Sequence, residues 1–316
     1  MIAKQKRWGK KVVYIRDWRK ENEKYVQRAT FYLDFEWAES WHDELAKMNL
    51  GKRGYPYQFP NSLIKLQAVW LNFFSYRGAE GITRQLVDLG HLPEYNNYST
   101  IQRRVIDMAL EIPNPKSKEI FASTDGSGVK MNMSGEYFEE KYGCGKRKKF
   151  IKVVVTAEPF EKDILKVEVS VEGEGDSEPA TAEKHMKELI KKGFEIKKFF
   201  GDGSFDKNEL FDFCDKYRIE PVIKIRENAN PEAEGSWKRS VEVKKYKKLG
   251  YKKWAKEKEY GRRWTGTEGI FSAVKKIYGE RVRARKVENM CLEAKRKFWT
   301  YQIIKRYAEE KIGKTN

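Results

Sequence analysis

Phe199-Phe200-Gly201-Asp202-Gly203-Ser204-Phe205-Asp206 is an apolar run that stops in glycines around a single carboxylate. A strand running out into glycine lets backbone and ligand come close to the acid it carries. Upstream, Ile120-Phe121-Ala122-Ser123-Thr124 repeats the arrangement, reaching Asp125 at a strand end and then Gly126, Ser127 and Gly128. Between the two, residues 150–157 are continuously apolar around Val153, Val154 and Val155, while Leu165, Val167, Val169 and Val171 alternate with Lys166, Glu168 and Ser170. The first pattern reads as a central strand and the second as a half-covered one. Helical composition at 183–192 and 206–217, separated by strands at 194–200 and 221–225, completes a mixed α/β sheet flanked by helices.

Asp125, Asp202 and Glu268 are the candidate catalytic residues. Taken singly, an Asp before Gly at a strand end is an ordinary turn residue. Two of them in one sheet, followed by an acid that opens a helix, form a much rarer combination. On that last helix Ile270, Phe271, Val274, Ile277 and Tyr278 make one apolar stripe, with Glu268, Ser272 and Lys275 together at its edge, because spacings of four and seven return to nearly the same helical angle. Three carboxylates on separate rigid elements suit Mg2+ or Mn2+, which prefer oxygen donors. Two such ions about 4 Å apart activate an attacking oxygen and stabilise a leaving one in phosphodiester chemistry. Asp206 rivals Asp202 but reads as a helix cap, and Asp176 is a weaker rival. His42, His91 and His185 show no ligand spacing, and His185 reads as structural.

The charge points to the partner. With 65 Lys and Arg against 47 Asp and Glu, the 316-residue chain carries a formal +18, which favours a polyanion. Residues 236–258 are the most basic segment, with Lys244 and Lys245 among Trp237, Tyr246, Tyr251 and Trp254. Basic and aromatic residues so mixed suit phosphate neutralisation and base stacking, here by Lys244, Lys245 and Trp254. A solvated helix-and-strand insert is the alternative. Cys144, Cys214 and Cys291 are far apart in sequence, which argues against disulfides and a zinc ribbon and for a reducing cytoplasm. No apolar run is long enough to span a membrane.

Residues 10–16 and 30–35 read as short strands and 36–48 as helical. Three short helices follow, one capped by Ser62, one over 79–89 and one from Ser99, and suggest a helix-turn-helix unit. Its third helix would bring Arg103 and Arg104 to base edges. The expected domains are therefore a basic segment at 1–50, a helical DNA-binding domain at 51–112, a catalytic domain at 117–285 with a basic insert at about 228–260, and a helical tail at 286–316.

Several motifs together make the chain similar to the DDE transposases of bacterial and archaeal insertion sequences. They are Tyr98-Ser99-Thr100 with Arg103-Arg104, Asp125-Gly-Ser-Gly with Lys146-Arg147-Lys148, Gly201-Asp202-Gly-Ser-Phe-Asp206, and Arg263-Trp264 followed by Glu268-Gly-Ile-Phe-Ser-Ala-Val-Lys275. The resemblance implies a ribonuclease H-like catalytic domain in which Asp125, Asp202 and Glu268 bind two magnesium ions. It also implies that Lys275 contacts the transposon end and that Arg263 grips DNA. The family often has an Arg four residues before the catalytic Glu and a Tyr three before that Arg; here Arg263 and Tyr260 each stand one residue further upstream. The expected activity is cleavage of transposon ends and transfer of the freed 3′-OH strand to target DNA. The partners implied are double-stranded inverted-repeat ends, target DNA and a second copy of the chain, in the cytoplasm with the nucleoid. The alternatives are a catalytically impaired transposase-derived DNA-binding protein and a ribonuclease H-like nuclease.

Overall fold

A computed structural model describes residues 3–7, 10–14, 17–132, 149–232 and 235–315. The chain divides into two compact units, Met1–Met108 with Thr300–Asn316, and Ala109–Trp299.

In the first unit β1 (Ala3–Arg7) and β2 (Lys10–Tyr14) form an antiparallel pair. Helices α1 (Trp18–Thr30), α2 (Trp41–Asn49), α3 (Asn61–Trp70), α4 (Tyr76–Asp88) and α5 (Tyr98–Ile106) follow. The Asp17 side chain caps α1 by accepting from the Arg19 and Lys20 amides. Residues 30–35, expected as a strand, instead close α1 and continue as a 3-10 turn over Phe31–Leu33. The aromatic rings responsible for the strand signal pack on a helical core with Trp41, Leu63, Leu66 and Trp70, and that packing overrides local β preference. Ser62 does not cap α3 with its side chain; its amide donates to the Glu44 carboxylate at 3.0 Å. Three short helices are present as expected, but residues 89–97 between α4 and α5 exceed the about three- or four-residue turn of a helix-turn-helix.

The second unit is built on a five-stranded sheet of β3 (Glu119–Lys130), β4 (Phe150–Glu158), β5 (Asp163–Val171), β6 (Glu195–Gly201) and β7 (Glu220–Ile223), in the order β5-β4-β3-β6-β7. β4 is antiparallel to both its neighbours, and β3, β6 and β7 are parallel. This mixed order is the ribonuclease H-like arrangement. Helices α6 (Glu178–Lys191), α7 (Asn208–Lys216), α8 (Trp237–Glu257), α9 (Arg262–Gly266) and α10 (Glu268–Tyr278) flank it, and α11 (Val287–Thr315) begins in this unit.

Alternation along β3 separates two cores. Ile120 and Ala122 pack with Ala182, Met186 and Leu189 of α6 and with the apolar face of α7. Phe121 packs on the other side with Phe200, Val222, Trp254 and Tyr260. The basic segment is one helix, kinked at Gly250, rather than a mixture of helix and strand.

Candidate active site

β3 does not end at Asp125. It continues to Lys130, with Asp125 paired to Val155 of β4. What ends is the ladder on the other edge: the last paired positions of β3 and β6 are Ser123 and Phe200. Asp125 and Asp202 each lie two residues beyond that point, on strands no longer hydrogen-bonded to each other. Such a parting between neighbouring strands makes the crevice where open α/β sheets bind ligands. Asp202 is held by its own turn, its Oδ1 accepting from the Ser204 amide at 2.8 Å and the Ser204 hydroxyl at 2.5 Å.

Glu268 reaches this place from the first turn of α10. The link is Arg263 of α9, whose Nη1 lies 3.3 Å from Asp125 Oδ2 and whose Nη2 lies 3.5 Å from Glu268 Oε1. Gly266 lets α9 approach, since a Cβ there would stand 2.7 Å from the Pro159 Cα. The Arg263 guanidinium lies 5.8 Å from the centre of the Tyr260 ring. Tyr260 and Arg263 thus both enter the acid site although each stands one residue upstream of its usual place. The short α9 turn absorbs the offset: the Thr267 amide and hydroxyl both donate back to the Arg263 carbonyl.

Charge in the crevice is unbalanced. Burial pushes the Asp125 carboxyl up to about 6, with Asp202 and Glu178 adding repulsion, while Arg263 and the Gly126 amide oppose the rise. Burial likewise raises the Tyr260 hydroxyl to about 12. The Arg263 side chain is 9% exposed, and its Nε is buried without a hydrogen-bond partner. Among the described residues no three His, Cys, Asp or Glu side chains stand together as a ready metal site. The all-oxygen donor set of Asp125, Asp202 and Glu268 nevertheless fits Mg2+ or Mn2+, and a buried guanidinium already provides positive charge between two of the three.

The other expected site residues fare differently. Lys275 donates to Ser127 Oγ at 2.9 Å, on the strand face that bears Asp125. Arg263, expected to grip DNA, is buried against carboxylates, so its charge serves the acids and not an exposed surface. Trp254 is 1% exposed among Phe200, Val222 and Tyr260; it is a core residue and cannot stack on a base. Lys244 and Lys245 pair with Glu232 and Glu257 at 3.2 and 2.7 Å. Arg103 is exposed on α5, whereas Arg104 donates to the Phe59 carbonyl and Asn61 Oδ1 and lies over the Tyr57 ring. Its donors are therefore engaged within its own unit. Lys146, Arg147 and Lys148 lie outside the described residues.

Asp206 is not a helix cap. It is buried, takes two hydrogen bonds from Arg239 at 2.6 and 3.0 Å, and accepts the Arg226 amide, so it anchors the basic helix to the sheet. Asp176 contributes a carbonyl to Lys152. The residue missed from sequence is Glu178. A Cβ on Gly126 would stand 2.3 Å from Glu178 Oε1, so this carboxylate lies directly over the strand beside Asp125. The missed signal was the start of α6: Ser177 accepts the Ala180 amide as its cap, and Glu178-Pro179 open the helix, an established pairing of cap and first-turn proline.

No curated protein matches the chain. Among solved structures it is similar to the crystal structure of the Mos1 strand transfer complex at 9% identity, with a TM-score of 0.28, over 81% of this chain and 78% of that one. A transposase DDE domain family matches residues 26–134. A second transposase DDE domain family matches residues 116–303, more than half of the chain and all three acids. The chain belongs to the DDE transposases.

Proposed function

We propose that this chain cleaves transposon ends and joins the freed 3′-OH strand to target DNA, with Asp125, Asp202 and Glu268 as its catalytic residues. The observation that carries the proposal is the meeting of three carboxylates, from β3, β6 and α10, where the β3–β6 ladder stops. A pair of Mg2+ or Mn2+ ions bound there would make water nucleophilic near neutral pH and stabilise the departing 3′ oxygen. The chain's own side chains do the rest. Asp202, fixed through Ser204, and Asp125, fixed within β3, hold the reacting phosphate's counter-charge on rigid strands. Lys275, braced on Ser127, presents an ammonium to the phosphate backbone. Arg263 keeps Asp125 and Glu268 together by lying between them, and Tyr260 walls that guanidinium from solvent.

The DNA-facing surface is assigned to the exposed cations Arg103, Lys244 and Lys245 with Lys275, and the net charge of +18 supports it. Synapsis of two ends calls for two copies of the chain. The test is cleavage of inverted-repeat DNA in Mg2+ by Asp125→Asn, Asp202→Asn and Glu268→Gln. Each is expected to lose cleavage while keeping end binding. Near-normal cleavage by all three would remove the proposal, and end binding without Mg2+-dependent nicking by the unsubstituted chain would leave a DNA-binding protein only. Joined products on a supercoiled plasmid would separate a transposase from a nuclease of the same fold.

A further inference from the structure

Glu178 enters the crevice from the opposite side to Arg263. Gly126 and Thr124 share the β3 face covered by α6, whereas Asp125 turns to the face covered by α9 and α10. The missing side chain at Gly126 is what admits the Glu178 carboxylate to the strand. A Cβ there would collide with Oε1 at 2.3 Å and with Cδ at 2.7 Å. Its nearest cation, Lys152, stands at 3.8 Å, a loose pair for a carboxylate in so tight a place. A second, independent feature marks the place as one that draws cations. The Arg263 guanidinium, on a side chain more than nine-tenths buried, is directed into the same acid group with its Nε unpartnered.

We propose that Glu178 is a fourth carboxylate of the cation site, closing it from the α6 side while Glu268 closes it from the α10 side. The inference rests on the reading of Asp125, Asp202 and Glu268 as the cation-binding acids. It gives the site two strand-borne acids flanked by two helix-borne ones, one from each face of the sheet. Oxygen donors then surround the strand ends instead of lining one wall, as hard divalent ions require. Gly126 becomes the residue that makes room for the fourth donor.

The probe is Mn2+ alone, titrated into the full chain without DNA and followed by calorimetry and by the electron paramagnetic resonance signal of free Mn2+. Glu178→Gln is expected to weaken Mn2+ binding on the order of tenfold, the lower end of the range for groups that orient or complete a metal site. Lys152→Gln should change it less than twofold. Gly126→Ala, which pushes the carboxylate away, should weaken binding as Glu178→Gln does and add nothing to it in the double variant. Wild-type affinity in Glu178→Gln, or an equal loss in Lys152→Gln, would overturn the inference and leave the three-acid reading standing. Unchanged Mn2+ affinity in Asp125→Asn, or no saturable binding by the unsubstituted chain, would overturn both.

Discussion

Thr124 and Asp125 are neighbours on one strand, yet they belong to two opposite kinds of polar assembly. On the α6 face the Thr124 and Thr156 hydroxyls lie 2.7 Å apart, Thr156 Oγ1 lies 2.8 Å from His185 Nδ1, and Glu168 stands 3.6 Å from His185 Nε2. The two threonines and the histidine are buried, and burial pushes the His185 imidazole down to about 4. It is therefore neutral at pH 7 and sits in a chain of short contacts. On the other face the carboxylates crowd one another, a guanidinium is left with an orphaned Nε, and Asp125 is driven toward neutrality. A single residue step along β3 separates a satisfied network from an unsatisfied one. Unsatisfied charge persists in folded proteins chiefly where a ligand will complete it, which is why function is assigned to the Asp125 side and structure to the His185 side.

The contrast is broken most sharply by removing the acids themselves. Loss of any one of Asp125, Asp202 and Glu268 is expected to slow Mg2+-dependent DNA cleavage by at least about 10²- to 10³-fold, as when one group stabilising developing charge is removed. The corresponding loss for His185→Gln, at equal folded fraction, should be small.

Stability against pH distinguishes the two faces by sign. His185 has its folded value lowered from 6.5 to about 4, so the unfolded chain binds more protons between those values. Its contribution is present above pH 6.5 and is lost as pH falls toward 4, by about 3 kcal/mol at most. Denaturant midpoints measured from pH 7 to pH 4.5 should fall less steeply in His185→Gln than in the unsubstituted chain. Asp125 behaves in reverse. Its folded value is raised from 3.8 to about 6, so the folded chain binds more protons in that window. The stability is fully present below about pH 3.8 and is lost as pH rises through 6. Asp125→Asn should therefore stabilise the metal-free protein at pH 7 to 8 by up to about 2–3 kcal/mol, and the gain should vanish near pH 4. A destabilised Asp125→Asn at pH 7.5 would mean that Arg263 outweighs burial.

The smallest expected effect tests whether the α6 face is truly closed. Thr156→Val removes the hydroxyl between Thr124 and His185 and should cost about 1–3 kcal/mol, the penalty for stranding buried polar groups. An apolar pair, Thr124→Val with Thr156→Val, should cost less than the sum of the two single changes, because fewer partners are left unmet.

Much of the second unit was legible in sequence because its strands are short apolar periods with local causes. The runs at 150–157 and 165–171 and the glycine-bounded acids at 125 and 202 identified the sheet and two of the three acids without any long-range information. The readings that failed depended on what covers a surface. Trp254 lies in a lysine-rich helix, and the lysines say nothing of the aromatic cluster of Tyr246, Tyr251 and Tyr260 beneath it. Asp206 precedes a helix, and only the approach of Arg239 from α8 turns it from a cap into an anchor. Phe31, Tyr32 and Phe35 favour a strand until a helical core receives them.

The sequence by itself determined the strand and helix order, the basic charge and the three acids, since periodicity, composition and motif spacing are carried by neighbours along the chain. Only the tertiary structure decided that the β3–β6 ladder stops just short of both aspartates, that Arg263 lies between Asp125 and Glu268, and that Glu178 reaches over Gly126. Those outcomes join residues 125, 178, 202, 263 and 268, and their energy depends on burial and on charges brought together through space, quantities that no local stretch of sequence encodes.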